Sequence, residues 1–136
     1  MLENEIIVRR WLQSFATDVP KEIMKEHVTK SGNFLWHIFG WGLTSYLQGD
    51  EARKTLDALS SKEKCFLFHN GYSLSGKNNI EDISSCPKLS SVQMDELQEK
   101  QNFSKKDMYL VEQNFNWTYV ITHESDCGPY FCYRTN

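Results

Sequence analysis

The sequence predicts an α+β domain, with N-terminal helices packed on one face of an antiparallel sheet of about five strands. Apolar residues recur at helical spacing through the first sixty positions, and from Cys65 onward the pattern changes to alternating runs separated by turn residues. Helices followed by hairpins, rather than alternating β and α units, is the order of an α+β chain. At 136 residues the chain fits one domain, 1–136, and its 13% aromatic content is high for an otherwise ordinary composition of 40% hydrophobic and 24% charged residues.

Val8, Trp11, Leu12, Phe15 and Ala16 fall at i, i+3, i+4, i+7 and i+8, which predicts an amphipathic helix over about residues 4–17. Pro20 suits the first position of a second helix, in which Ile23, Met24, His27 and Val28 keep the period until Ser31-Gly32. Residues 34–41 are apolar almost throughout, so periodicity does not separate helix from strand; a helical turn capped by Asn33 is the reading adopted. Asp50 is expected to cap a further helix, with Ala52, Leu56 and Leu59 inward and Ser60-Ser61 at its end.

Asn70-Gly71 stands between strand-like runs, and this pair favours the positive φ angles of a tight hairpin turn. Residues 75–106 read as a long polar loop in which Ser90 and Gln93 open a short helix through Leu97. A second hairpin is expected from Met108–Glu112 and Phe115–Thr122 with Gln113-Asn114 at its tip, placing Phe115, Trp117, Tyr119 and Ile121 on one face. Gly128-Pro129 marks a turn, and Tyr130–Tyr133 forms the last strand.

Fifteen basic residues oppose 18 acidic ones, and residues 108–136 hold one basic residue against three acidic. Nucleic-acid affinity comes largely from clustered Lys and Arg, so a nucleic-acid partner is not expected. The acidic N-terminus, with Ile6-Ile7-Val8 as its longest apolar run, lacks the pattern of a signal peptide. No stretch approaches the ~20 apolar residues of a membrane span. A cytoplasmic protein without membrane association is therefore expected, its four cysteines reduced.

The densest group of reactive side chains is Thr122 to Tyr130. His123 can exchange a proton near neutrality, Glu124 is placed to orient it, and Cys127 offers a nucleophile, although Glu124 and Asp126 oppose formation of its thiolate. The alternative is structural: His123 and Glu124 bond local backbone and pin the Gly-Pro turn. Trp36, His37, Trp117, Tyr119 and Tyr130 are candidates for a ligand- or partner-binding wall, against which stands simple core packing. His123, Cys127 and Cys132, joined by His37 or His69, make only half of a usual zinc spacing, so neither a metal nor another cofactor is expected. Phosphate-binding glycine loops, H-E-x-x-H and G-x-S-x-G do not occur.

The block Trp117-Thr118-Tyr119, Thr122-His123-Glu124 and Gly128-Pro129-Tyr130-Phe131 resembles the C-terminal signature of an uncharacterised family of small bacterial cytoplasmic proteins, a domain of unknown function. Phe34–Phe39, Gly49–Arg53 and Cys65–Phe68 fit the same pattern. The resemblance implies a single-domain protein and carries no activity. The leading expectation is thus a binding or interaction module, for an unidentified protein or small ligand, that uses the loop after strand 115–122. The alternative is a hydrolase or transferase with a His123–Glu124 pair.

Overall fold

The computed structural model describes residues 4–29, 35–72, 78–100, 107–124 and 126–134. Its helices are α1 (Asn4–Phe15), α2 (Lys21–Met24, continued by a π turn over Lys25–Thr29), α3 (His37–Gly40), α4 (Asp50–Ala58) and α5 (Ser91–Glu99). The strands are β1 (Leu47–Gln48), β2 (Lys64–Tyr72), β3 (Asn78–Pro87), β4 (Met108–Glu112), β5 (Trp117–Ile121) and β6 (Tyr130–Tyr133). They form one antiparallel sheet in the order β1-β6-β5-β4-β2-β3. The class is α+β as expected, with six strands rather than five.

The helices cover both faces, not one. Helix α1 buries Ile7, Trp11 and Phe15, four residues apart, while Val8 and Leu12 flank this stripe half-buried. With Val28, Leu35, Trp36, Ile38 and Phe39 it packs on the side of Phe68, Tyr109, Val111 and Val120. Trp11 meets Phe39 and Tyr109 edge-on at 5.8 and 5.7 Å. Its Nε1 donates to Thr118 Oγ1 at 3.0 Å, and that hydroxyl donates to Leu110 O at 2.9 Å, so the polar end of the indole is satisfied in the sheet. On the opposite face Ala52, Leu56 and Met94 meet Leu110, Trp117, Tyr119 and Phe131. The cause lies in β4 and β5, which are apolar at both parities and buried at every position, a pattern that one covered face cannot accommodate.

Helix α5 is held at its start by a capping box: Gln93 N donates to Ser90 Oγ at 3.1 Å, and Ser90 N donates to Gln93 Oε1 at 2.8 Å. Asp57 of α4 accepts from Ser91 N and Oγ at 2.8 and 2.7 Å, tying the two helices together. The buried Lys88 Nζ donates to Leu56 O, among the last carbonyls of α4.

Several local expectations are corrected. No turn forms at Asn70-Gly71; β2 runs through it in register with Ile80 and Asn79, so the hairpin closes beyond Tyr72, outside the described residues. Residues 78–87, expected as loop, form β3, an edge strand whose polar composition suits a position paired on one side only. The short helix within 75–106 is present. Asp50 is the first residue of α4 and Gly49, at φ 65°, holds the cap position; Pro20 likewise caps α2 from just outside it. Residues 35–41 turn as a short helix from His37, with Asn33 and Phe34 outside the described residues.

The second hairpin has a four-residue turn, Gln113–Asn116, in place of a two-residue tip. Glu112 builds it: Oε2 accepts from Asn114 N at 2.9 Å, Oε1 from Asn116 N at 3.1 Å, and its carbonyl from Phe115 N at 2.7 Å. Phe115 lies at φ 60° and is fully buried on the α1 face beneath Arg10, away from Trp117, Tyr119 and Ile121. Apolar burial and the two carboxylate bonds hold that left-handed conformation, uncommon for a bulky residue.

Candidate functional site

Pairing of Met108 with Ile121 sets Asp107, just before β4, beside Thr122 and His123, just after β5. The Asp107 side chain is 0% exposed, whereas that of His123 is 26% exposed. Asp107 Oδ1 accepts from the His123 backbone N–H at 2.7 Å and lies 2.7 Å from Nδ1 of the same residue. The carboxylate can only accept, so Nδ1 carries the proton, and Nε2 is the basic nitrogen of the neutral ring. Nε2 is 3.7 Å from Glu124 Oε1. Asp107 Oδ2 is buried with no partner among the described residues. The orienting carboxylate is therefore Asp107; Glu124, expected in that role, stands on the other side of the ring.

Thr122 pins the loop, a task the structural reading assigned to His123 and Glu124. Its hydroxyl lies 2.8 Å from Glu124 O and 2.7 Å from Cys127 O, and Gln98 Nε2 of α5 donates to Thr122 O at 2.9 Å. Gly128 has φ 87°, where a Cβ would stand 3.3 Å from the Tyr130 ring, so a side chain there would be strained and crowded and the turn favours glycine. Gly49 N donates to Pro129 O at 2.9 Å and anchors the far end of the loop.

Cys127 Sγ donates to Glu124 Oε2 at 3.4 Å. Partial burial, this bond and the nearby acidic charges raise the thiol above its ordinary range, with a bond from Tyr130 opposing them. That environment makes Cys127 a poor nucleophile. Cys132 Sγ turns to Ser45 O at 3.3 Å, and burial pushes its thiol up to about 12. Among the described residues no three His, Cys, Asp or Glu side chains are grouped to hold a metal ion.

The expected aromatic wall does not assemble. Trp36 and Tyr130 lie in the core on the α1 face, Trp117 and Tyr119 in the core on the α4 face, and all four are at most 3% exposed. Trp36 nevertheless backs the site: its ring is 6.0 Å from His123, 4.5 Å from His37 and stacked at 6.4 Å on Tyr130. Burial lowers the basicity of the half-buried His37, against its bond with His27 O and the charges of Asp107 and Glu124. Trp41 is the exposed tryptophan, 56% accessible, with the His27 ring 4.8 Å away.

On the α5 side an open depression of about 250 Å³ is lined by Glu124, Thr122, Cys127, Gln98 and Arg53 among others, with Asp95 and Glu99 adding negative charge; His123 is outside this lining. Glu124 links it to the imidazole. Asp107 was invisible as a site residue because no motif joins it to His123; only the hairpin register does.

Residues 4–131 match the family model described as Domain of unknown function (DUF4275). No curated protein and no solved structure matches the chain. Among the described residues no helix is long and apolar enough to cross a membrane.

Proposed function

The chain belongs to this family of unknown function, and we propose that it is a hydrolase in which His123 is the general base, Asp107 its positioning residue and water the nucleophile. The observation that carries the reading is the fully buried Asp107 carboxylate, 2.7 Å from Nδ1 of a partly exposed imidazole. In this reading Nε2 takes a proton from water as the oxygen attacks a carbonyl carbon, and Asp107 stabilises the imidazolium without itself taking the proton. The imidazolium then returns the proton to the leaving group. Glu124, beside Nε2 and on the wall of the depression, orients water or substrate. Asp95, Glu99 and Glu124 against Arg53 favour a neutral or cationic substrate over a phosphorylated one. A reducing, cytoplasmic setting belongs to the same reading, in keeping with four unpaired thiols. The leading expectation from the sequence, a binding module, rested on the loop after β5 together with Trp36, His37, Trp117, Tyr119 and Tyr130, and the two tryptophans and two tyrosines of that set are buried.

The test is a panel of chromogenic neutral and cationic esters and amides, assayed with wild type, His123→Ala and Asp107→Asn. Loss of a general base costs roughly 10²–10⁴-fold in rate. Equal turnover by wild type and His123→Ala would overturn the proposal.

A further inference from the structure

At the far end of β2 from His123, Cys65 stands directly opposite Cys86 of β3. Lys88 N donates to Glu63 O at 2.8 Å, and alternation along the ladder makes Cys65–Cys86 the next hydrogen-bonded pair, since Pro87 between them has no N–H to donate. Cα atoms in such a pair are about 5.5 Å apart, inside the roughly 4.4–6.8 Å that a disulfide spans, and registered partners project to the same face. Both are free thiols. Cys65 is buried and Cys86 half-buried, and both open on a groove of about 720 Å³ that Phe66 and Pro87 line and Lys62 and Lys64 border. A reagent therefore meets Cys86 first, with Cys65 behind it.

We propose that Cys65 and Cys86 form a reversible dithiol–disulfide site whose oxidant is an anionic low-molecular-weight disulfide docked in this groove against Lys62 and Lys64. The Cys86 thiolate attacks one sulfur of the small disulfide, forming a mixed disulfide and expelling one small thiolate. The Cys65 thiolate then attacks Cys86 Sγ and expels the second. The two protein protons end on the two released thiols, so one small disulfide is reduced for each protein disulfide formed. Burial, with Cys86, Glu63 and Glu112 nearby, pushes the Cys65 thiol up to about 12, and burial also raises Cys86. Exchange is accordingly slow at neutral pH and quickens in mild alkali.

The test incubates the full chain with glutathione disulfide in mild alkali, blocks remaining thiols and maps peptides. The expected product is a Cys65–Cys86 cross-link that dithiothreitol removes; a map in which these two remain thiols, or in which Cys86 stops at the mixed disulfide, overturns the proposal. This wild-type map decides the matter even where a variant fails to fold. Cys65→Ser is expected to accumulate the glutathione adduct on Cys86. Lys62→Glu with Lys64→Glu should slow cross-linking several-fold with glutathione disulfide and not with cationic cystamine. Equal slowing with both reagents, or none with either, overturns the docking of an anionic oxidant.

Discussion

Asp107 Oδ1 takes two hydrogen bonds from His123, sixteen positions away: one from the backbone N–H and one from ring Nδ1, both at 2.7 Å. The first fixes where the histidine backbone stands and the second fixes how its ring is turned. A single buried carboxylate thus sets position, orientation and tautomer together. Local burial supplies the rigidity, since the Asp107 side chain is walled in while that of His123 is partly exposed.

Replacing Asp107 by Ala leaves the His123 amide without its acceptor and should cost about 1–3 kcal/mol of stability, read from urea denaturation. Asp107→Asn keeps the volume and weakens the hold on the tautomer. Two-bond ¹⁵N–¹H correlation spectra of the neutral ring should show Nδ1 protonated in wild type and a changed tautomer ratio in Asp107→Asn. A wild-type ring protonated at Nε2 would contradict the hydrogen-bond assignment.

Thr118 links the N-terminal helix to the middle of the sheet through Trp11 Nε1. Thr118→Val keeps the shape and strands the indole N–H in the core, at an expected cost of about 1–3 kcal/mol. Trp11→Phe removes the donor, so the double variant should be less destabilised than the two single losses summed. Strict additivity in the denaturation midpoints, with unchanged slope, would show that the two side chains do not interact.

His37 ties stability to acid. Burial lowers its basicity below the ordinary value of 6.5, so between that value and the folded one the unfolded chain binds more protons. Stability from this group is therefore complete above about pH 6.5 and falls as pH drops below it. Denaturation at pH 7.5 and 5.5 should show a loss in wild type that is smaller in His37→Gln. An identical loss in both would assign the acid sensitivity to other groups.

The elements that could be read from the sequence are those whose signal is local. The α1 stripe, the α4 face with Ala52 and Leu56, the Ser90–Gln93 capping box and the extended C-terminal runs each follow from spacing within about a dozen residues. Asn70-Gly71 misled because turn propensity is a preference of isolated chains, and pairing of β2 with both β3 and β4 outweighs it. The polar residues 78–87 misled in the same way, for pairing to β2 makes a strand of a segment without hydrophobic alternation.

By itself the sequence determined the class of fold and the opposition of Glu124 and Asp126 to a Cys127 thiolate, because composition and short-range spacing suffice for these. Only the tertiary structure decided which carboxylate serves His123. A two-residue tip at Gln113-Asn114 would set Asp107 opposite Val120; the four-residue turn that Glu112 builds slides the strands by two positions and sets it beside Thr122 and His123. Register is a property of paired strands and of the side chains that close their turn, and no single strand carries it.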